Sequence, residues 1–314
     1  MVGAFEEHMV PIPTTRCTLK KALRTALFIS IVCSLLPQTV PASATTKASL
    51  VRATMTSSWP TKSPDPMGLT YNPRSKRLLV SDAEVDEMPA LWKGKNLFVA
   101  KRGGGLVGTG TFKKFTHEPE DLAWDNGHQV LYVTDDDLDR VFRVGRGKDK
   151  RLGTRDDVVV TVLHTHRFGS FDPEGLSWLG SKRMLILSDS TNRRVYKIRP
   201  GKDLKFGTRD DTVRSFGTHK YGFTTAEDVA VRGKHLFIVS SRQRFILETT
   251  MKGALVQKID LTGLGIISAS GIAFAPGTDG GKSRLYLTAS GVDNNVDPSE
   301  NDGRLFELKL VRTP

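Results

Sequence analysis

Three glutamates, Glu120, Glu174 and Glu227, hold the same place in a motif that returns along the chain. Like charges brought together in a low-dielectric site repel strongly, so such a trio calls for a cation, raised pKa values or basic partners. Ca2+ suits it, because that ion takes roughly six to eight oxygen ligands in loose geometry. The alternative is that each acid bonds the N–H groups of its own turn. Glu120, Glu174 and Glu227 are therefore candidate metal ligands and candidate ligand-binding residues. Asp135 and Asp189, each closing an apolar run, are candidate general bases.

A second constellation is duplicated. GKDKRLGTRDD (147–157) and GKDLKFGTRDD (201–211) place Asp149, Asp156 and Asp157, then Asp203, Asp210 and Asp211, around a Gly-Thr turn. Oxygen-rich turns can hold Ca2+, although Lys and Arg stand where a strong calcium loop would carry more carboxylates. Hairpin loops tied by their own Asp side chains are the other reading. A third oxygen-rich stretch, GVDNNVDPSENDGRL (291–305), lacks the EF-hand spacing. His164 and His166 alternate within an apolar run and are expected on one face of a strand, with no third metal ligand in view. No nucleophile elbow, Walker loop or HExxH is present.

The elements that would position these residues follow from the repeat. The motif reads DPMGL (65–69), EPEDL (118–122), DPEGL (172–176), TAEDV (225–229) and, more faintly, SASGI (268–272), with starts 53, 54, 53 and 43 residues apart. A period of this size marks solenoids and propellers. After each motif come an apolar run, a turn and a second apolar run ending in Ser or Thr: RLLVSD, VLYVTD, MLILSD, LFIVSS and LYLTAS. In the third unit, strands are expected over 175–179, 184–188, 193–198 and 212–217. Four antiparallel strands repeated in this way predict an all-β chain, a β-propeller. Five four-stranded blades is the direct count, six if two units merge around 82–118. The fifth unit ends on its third strand, RLFELKLV (304–311), so a strand within 48–59 is expected to supply its fourth and close the ring.

Three segments result: 1–44 as a signal peptide, 45–64 with the closing strand, and 65–314 as the propeller. Arg16, Lys20, Lys21 and Arg24 precede the apolar run 26–36, and Ala42-Ser43-Ala44 forms a cleavage site, so secretion after Ala44 is expected, with no membrane span left. Both cysteines, Cys17 and Cys33, lie before that site, so disulfides and a thiol nucleophile are excluded from the mature chain. The net charge of +12 falls to +10 on cleavage. The basic residues are scattered and no nucleic-acid module is present, so nucleic acid is not an expected partner. A monomer binding a small molecule, glycan or protein is expected.

SDSTNRRVYKI (188–198) after DPEGLSWL (172–179) resembles an NHL repeat. Residues 65–314 as a whole resemble secreted bacterial propellers of the NHL, gluconolactonase (SMP-30-like) and esterase-like phytase superfamily. SDAEVDEMP (81–89), the paired GTRDD loops and GVDNNVDPSENDGRLFEL (291–308) resemble an uncharacterised subgroup of it. The resemblance implies a propeller and, in its hydrolases, a calcium held in the channel by Glu, Asn and Asp. Glu120, Glu174 and Glu227 match that set by repeat position. The expectation is a secreted, Ca2+-stabilised binding or scaffold module with its ligand site at an acidic channel mouth. The alternative is a calcium-dependent hydrolase of esters, lactones or phosphoesters.

Overall fold

The computed structural model describes residues 46–84, 93–280, 282–292 and 302–312. The leader expected over 1–44 lies outside these residues, as do residues 293–301 of the oxygen-rich stretch 291–305. The described chain is all-β. Its only helical pieces are short 3₁₀ turns, and none of its helices is long and apolar enough to cross a membrane.

Three sheets have four antiparallel strands each, in sequence order. The first holds β2 (Pro66–Asn72), β3 (Arg77–Asp82), β4 (Leu97–Lys101) and β5 (Leu106–Gly110). The second holds β6 (Leu122–Asp125), β7 (Val130–Asp135), β8 (Arg140–Gly145) and β9 (Val158–His164). The third holds β10 (Pro173–Leu179), β11 (Met184–Asp189), β12 (Arg194–Arg199) and β13 (Thr212–Gly217). A further sheet has eight strands. It contains β14 (Val229–Arg232), β15 (His235–Ile238), β16 (Phe245–Thr250) and β17 (Leu255–Asp260), then β1 (Thr46–Met55), β20 (Arg304–Arg312), β19 (Ser283–Ala289) and β18 (Ala269–Pro276). β1 runs antiparallel to β20 from Thr46 opposite Arg312 to Met55 opposite Arg304. It meets β17 only at Lys47 opposite Asp260. The eight strands are thus two four-stranded units joined at one bridge.

The burial pattern explains the sequence pattern. The second strands are covered on both faces, so VLYVTD and MLILSD read as continuous apolar runs. In β7, Val130 and Tyr132 join the core shared with the third sheet, and Leu131 and Val133 join the core shared with the first. The outer strands β13 and β17 are half exposed and carry charge. Among the described residues, the five apolar clusters each lie between two successive four-stranded units, the last between β18–β20 and the first sheet.

The first strands of the units touch in a cycle: β2 with β6, β6 with β10, β10 with β14, β14 with β18, and β18 with β2. In four of the five units a Ser or Thr near the end of the second run makes the link, while Val239 stands at that place in the fourth. Ser81 donates to the Glu120 carbonyl at 3.0 Å, Thr134 to that of Glu174 at 2.9 Å, and Ser188 to that of Glu227 at 2.9 Å. Thr288 donates to the Met67 carbonyl at 2.5 Å, returning from the last unit to the first.

Candidate functional site

Two layers of carboxylates lie where the first strands converge. The deeper layer comes from the motif's fourth position, which runs Gly68, Asp121, Gly175, Asp228, Gly271. Asp121 accepts the Leu69 N–H through Oδ1 at 2.9 Å and the Leu176 N–H through Oδ2 at 2.5 Å. Asp228 accepts the Ile272 N–H at 2.6 Å, and the two Asp side chains meet each other. A methyl group on Gly68 would overlap the Asp121 backbone, and one on Gly175 that of Asp228, so glycine and aspartate alternate for steric reasons. Burial, then the Asp228 charge, pushes the Asp121 carboxyl up, and burial raises Asp228 to about 6.

The upper layer contains the three glutamates. Glu120 and Glu227 are each only 7% exposed although they flank a surface loop, so their carboxylates aim inward. Burial and then the Glu174 charge raise Glu120, which also contacts Glu174. Burial and then the Glu227 charge raise Glu174. Glu227 is held by the Ser241 hydroxyl at 2.6 Å and the Ser190 hydroxyl at 3.3 Å. The three glutamates are therefore neighbours in the order 120, 174, 227.

Further acids complete the layer. Carboxylate oxygens of Glu118, Asp136 and Asp137 lie within 4.8 Å of one another, as do those of Asp136, Asp172 and Glu174. Asp136, the first residue after β7, belongs to both groups. Oε2 of Glu120 and Oδ1 of Asp136 are buried and meet no donor. Burial, then the charges of Asp137 and Asp136, raises Glu118 to about 7, and burial raises Asp136 to about 6. An all-oxygen donor set with orphaned buried acceptors fits a hard cation such as Ca2+. Sequence reasoning left Asp136, Asp172 and Glu118 outside the candidate set. The signal for Asp136 was available: the corresponding residues are Ala83, Ser190 and Ser241.

The other candidates are occupied by local structure. Asp189, fully buried, accepts from the Ser170 hydroxyl at 2.7 Å, the Phe171 and Asn192 N–H groups at 3.1 and 2.7 Å, and the Asn192 amide at 3.1 Å. Asp135 accepts the Leu138 N–H at 2.7 Å. Each carboxylate thus fixes loops at the end of its second strand. In the duplicated hairpins, Asp157 accepts the Gly153 and Thr154 N–H groups at 2.7 and 3.1 Å, and Asp211 accepts that of Gly207 at 2.6 Å. Asp156 and Asp210 accept from the Thr154 and Thr208 hydroxyls, at 2.8 and 2.7 Å, and from amides across the loop, including those of Asp149 and Asp203. Asp149 and Asp203 accept the Arg151 and Lys205 N–H groups.

These hairpins also clasp the preceding unit. The Thr111 N–H donates to the Gly153 carbonyl at 2.9 Å, and Leu152 enters the core between the first and second sheets. Phe206, its counterpart, meets Trp178 and Tyr132 edge-on at 6.1 and 6.3 Å. His164 and His166 do not share a strand, because β9 ends at His164 and His166 lies in the following 3₁₀ turn.

No protein-family model matches the chain, and no curated protein matches it. Solved structures do. Glutaminyl cyclase from Myxococcus xanthus is 15% identical with a TM-score of 0.55, covering 87% of this chain and 100% of its own. The PQQ-bound aldose sugar dehydrogenase from Streptomyces coelicolor is 15% identical with a TM-score of 0.51, covering 85% and 99%. These neighbours are propeller-type proteins, and the fold here is of that type.

Proposed function

We propose that this chain is a secreted five-bladed β-propeller, closed by β1, whose acidic mouth binds Ca2+ and presents the ligand site. The blade count rests on the cycle of five first strands, and closure on the β1–β20 pairing. Secretion rests on the basic, apolar and small-residue succession over 16–44. The carrying observation for the metal is the orphaned Glu120 Oε2 and Asp136 Oδ1 among converging carboxylates. A divalent cation there would satisfy those oxygens and remove the repulsion that otherwise forces the acids to hold protons.

The second reading is a calcium-dependent hydrolase of esters, lactones or phosphoesters. It draws on Glu118, a partly exposed acid beside Asp136 and Asp137 at the edge of the carboxylate group, placed to serve as a general base. Asp135 and Asp189 are weaker choices for that role, since loop donors already occupy them. The metal would supply Lewis acidity toward a carbonyl or phosphoryl oxygen.

A thermal melt titrated with CaCl2 and reversed with EGTA tests the metal. The melting temperature is expected to rise in the wild type and to respond far less in Glu174→Gln. An identical response in both would remove calcium from the mouth. Ester, lactone and phosphoester turnover with and without EGTA separates the readings. EGTA-sensitive turnover lost in Glu118→Gln would establish the hydrolase, and a calcium shift without turnover the binding module.

A further inference from the structure

A cleft of about 440 Å³ opens where the third unit's outer strands meet the turn between β16 and β17. Lys182, Lys197, Arg199, Arg214 and Lys252 all line it, and no carboxylate does. Its floor is apolar, from Met184 and Met251. Met184 begins β11 and Asp189 ends it, so the cleft and the acidic mouth lie at opposite ends of that strand. The two sites are separate.

The cations are gathered by register. Lys197 and Arg199 alternate on β12 and share a face. Arg214 stands directly opposite Lys197 on β13, and Thr212 opposite Arg199. A like-charge pair directly across a ladder is destabilising, so nothing in strand pairing favours it. At the matching place in the second sheet, Arg143 faces Val160 instead. Lys197 is half-buried, donates to the Met251 carbonyl at 2.6 Å and lies 5.5 Å from the Phe216 ring centroid. Burial, then the charges of Arg214 and Arg199, lowers its pKa. Among the described residues none of the five cations joins an ion pair.

The geometry points to this cleft as a binding site for a soluble oligoanion bearing two or more phosphate or sulfate groups. Arg199 and Arg214 present planar forks that match phosphate oxygens, while the lysines act as point charges around them. The methionine floor accommodates the ligand's carbon frame. One phosphate cannot neutralise five converging cations, so a multiply charged ligand is favoured over inorganic phosphate.

Isothermal titration of the purified full chain with tripolyphosphate, in EGTA to keep the acidic mouth metal-free, tests the assignment. A 1:1 complex is expected, stronger than that with orthophosphate and weakened by roughly tenfold or more in Arg199→Glu/Arg214→Glu. Arg74→Glu/Lys76→Glu removes the same charge from an exposed turn elsewhere and should leave binding within about twofold. Unaltered melting of both double variants secures the comparison. Equal weakening by the two pairs, or no heat at low ionic strength, would overturn the site. Phosphatidylcholine vesicles carrying phosphatidylinositol bisphosphate distinguish a membrane source. They should not displace a fluorescent polyphosphate from the cleft, and displacement would overturn the soluble assignment.

Discussion

Asp82 offers the sharpest test of how burial sets the chemistry of this protein. It ends β3, is fully buried, and accepts the Ser63 hydroxyl at 2.7 Å and the Asp65 N–H at 3.2 Å through Oδ2. Its Oδ1 is buried without a donor. Burial outweighs the hydrogen bonds from Ser63, Asp65 and the Glu84 backbone, and the nearby Glu84 charge adds to it, so the carboxyl rises from 3.8 to about 7. The folded value exceeds the unfolded one, so folding takes up a proton between them. Asp82's contribution is complete at low pH, falls as pH rises through that window, and levels off above about 7. The loss amounts to about 4 kcal/mol in all, of which about 3 kcal/mol falls between about pH 5 and pH 8. Asp82→Asn keeps the acceptor for Ser63 and Asp65 and cannot ionise. Guanidinium denaturation followed by tryptophan fluorescence, in EGTA, should therefore give a variant that gains about 3 kcal/mol on wild type between those two pH values. Taking the difference between proteins cancels the titrating carboxylates that do not interact with Asp82. A gap that does not change with pH would refute the reasoning, and one that changes the other way would mean the charged form is the one favoured by folding.

Two further predictions concern the contacts that join the units. Gly175→Ala should cost several kcal/mol, because the added methyl overlaps the Asp228 Cα and the Ser188 hydroxyl, whereas Gly108→Ala meets nothing within 4 Å and should be nearly neutral; urea midpoints compare them. Phe206→Ala should cost about 3 kcal/mol by emptying the edge-on site against Trp178 and Tyr132, while Asp211→Asn should leave the calcium response of the melt unchanged, since its carboxylate serves Gly207.

Repetition in the sequence reported what every unit needs in order to hold its neighbour. The terminal Ser or Thr of the second runs is a latch onto the next motif's carbonyl, which is why Ser81, Thr134, Ser188 and Thr288 recur at one place. A strand near 48–59 was legible as a partner for RLFELKLV, and β1 does pair with β20, although it runs from Thr46 to Met55 and the chain then turns through Thr56–Ser58. The Gly and Asp residues of the motif's fourth position were equally visible but have no meaning until the first strands meet, where a side chain at Gly68 or Gly175 would collide with Asp121 or Asp228. Ranking residues by repeat position put the three glutamates ahead of Asp136, whose counterparts Ala83, Ser190 and Ser241 are not acids, although that departure was itself a signal. It missed the basic cleft for a related reason: Lys197 and Arg214 are separated along the chain by a long hairpin and meet only through register. The repeat accounts for the scaffold, and both proposed sites lie where one unit departs from it. Asp136 and Asp137 crowd the acids of the second unit, and the cation pair marks the third. Each departure is unfavourable by itself in a ladder or a buried loop, which is the physical ground for reading both as binding sites rather than as framework.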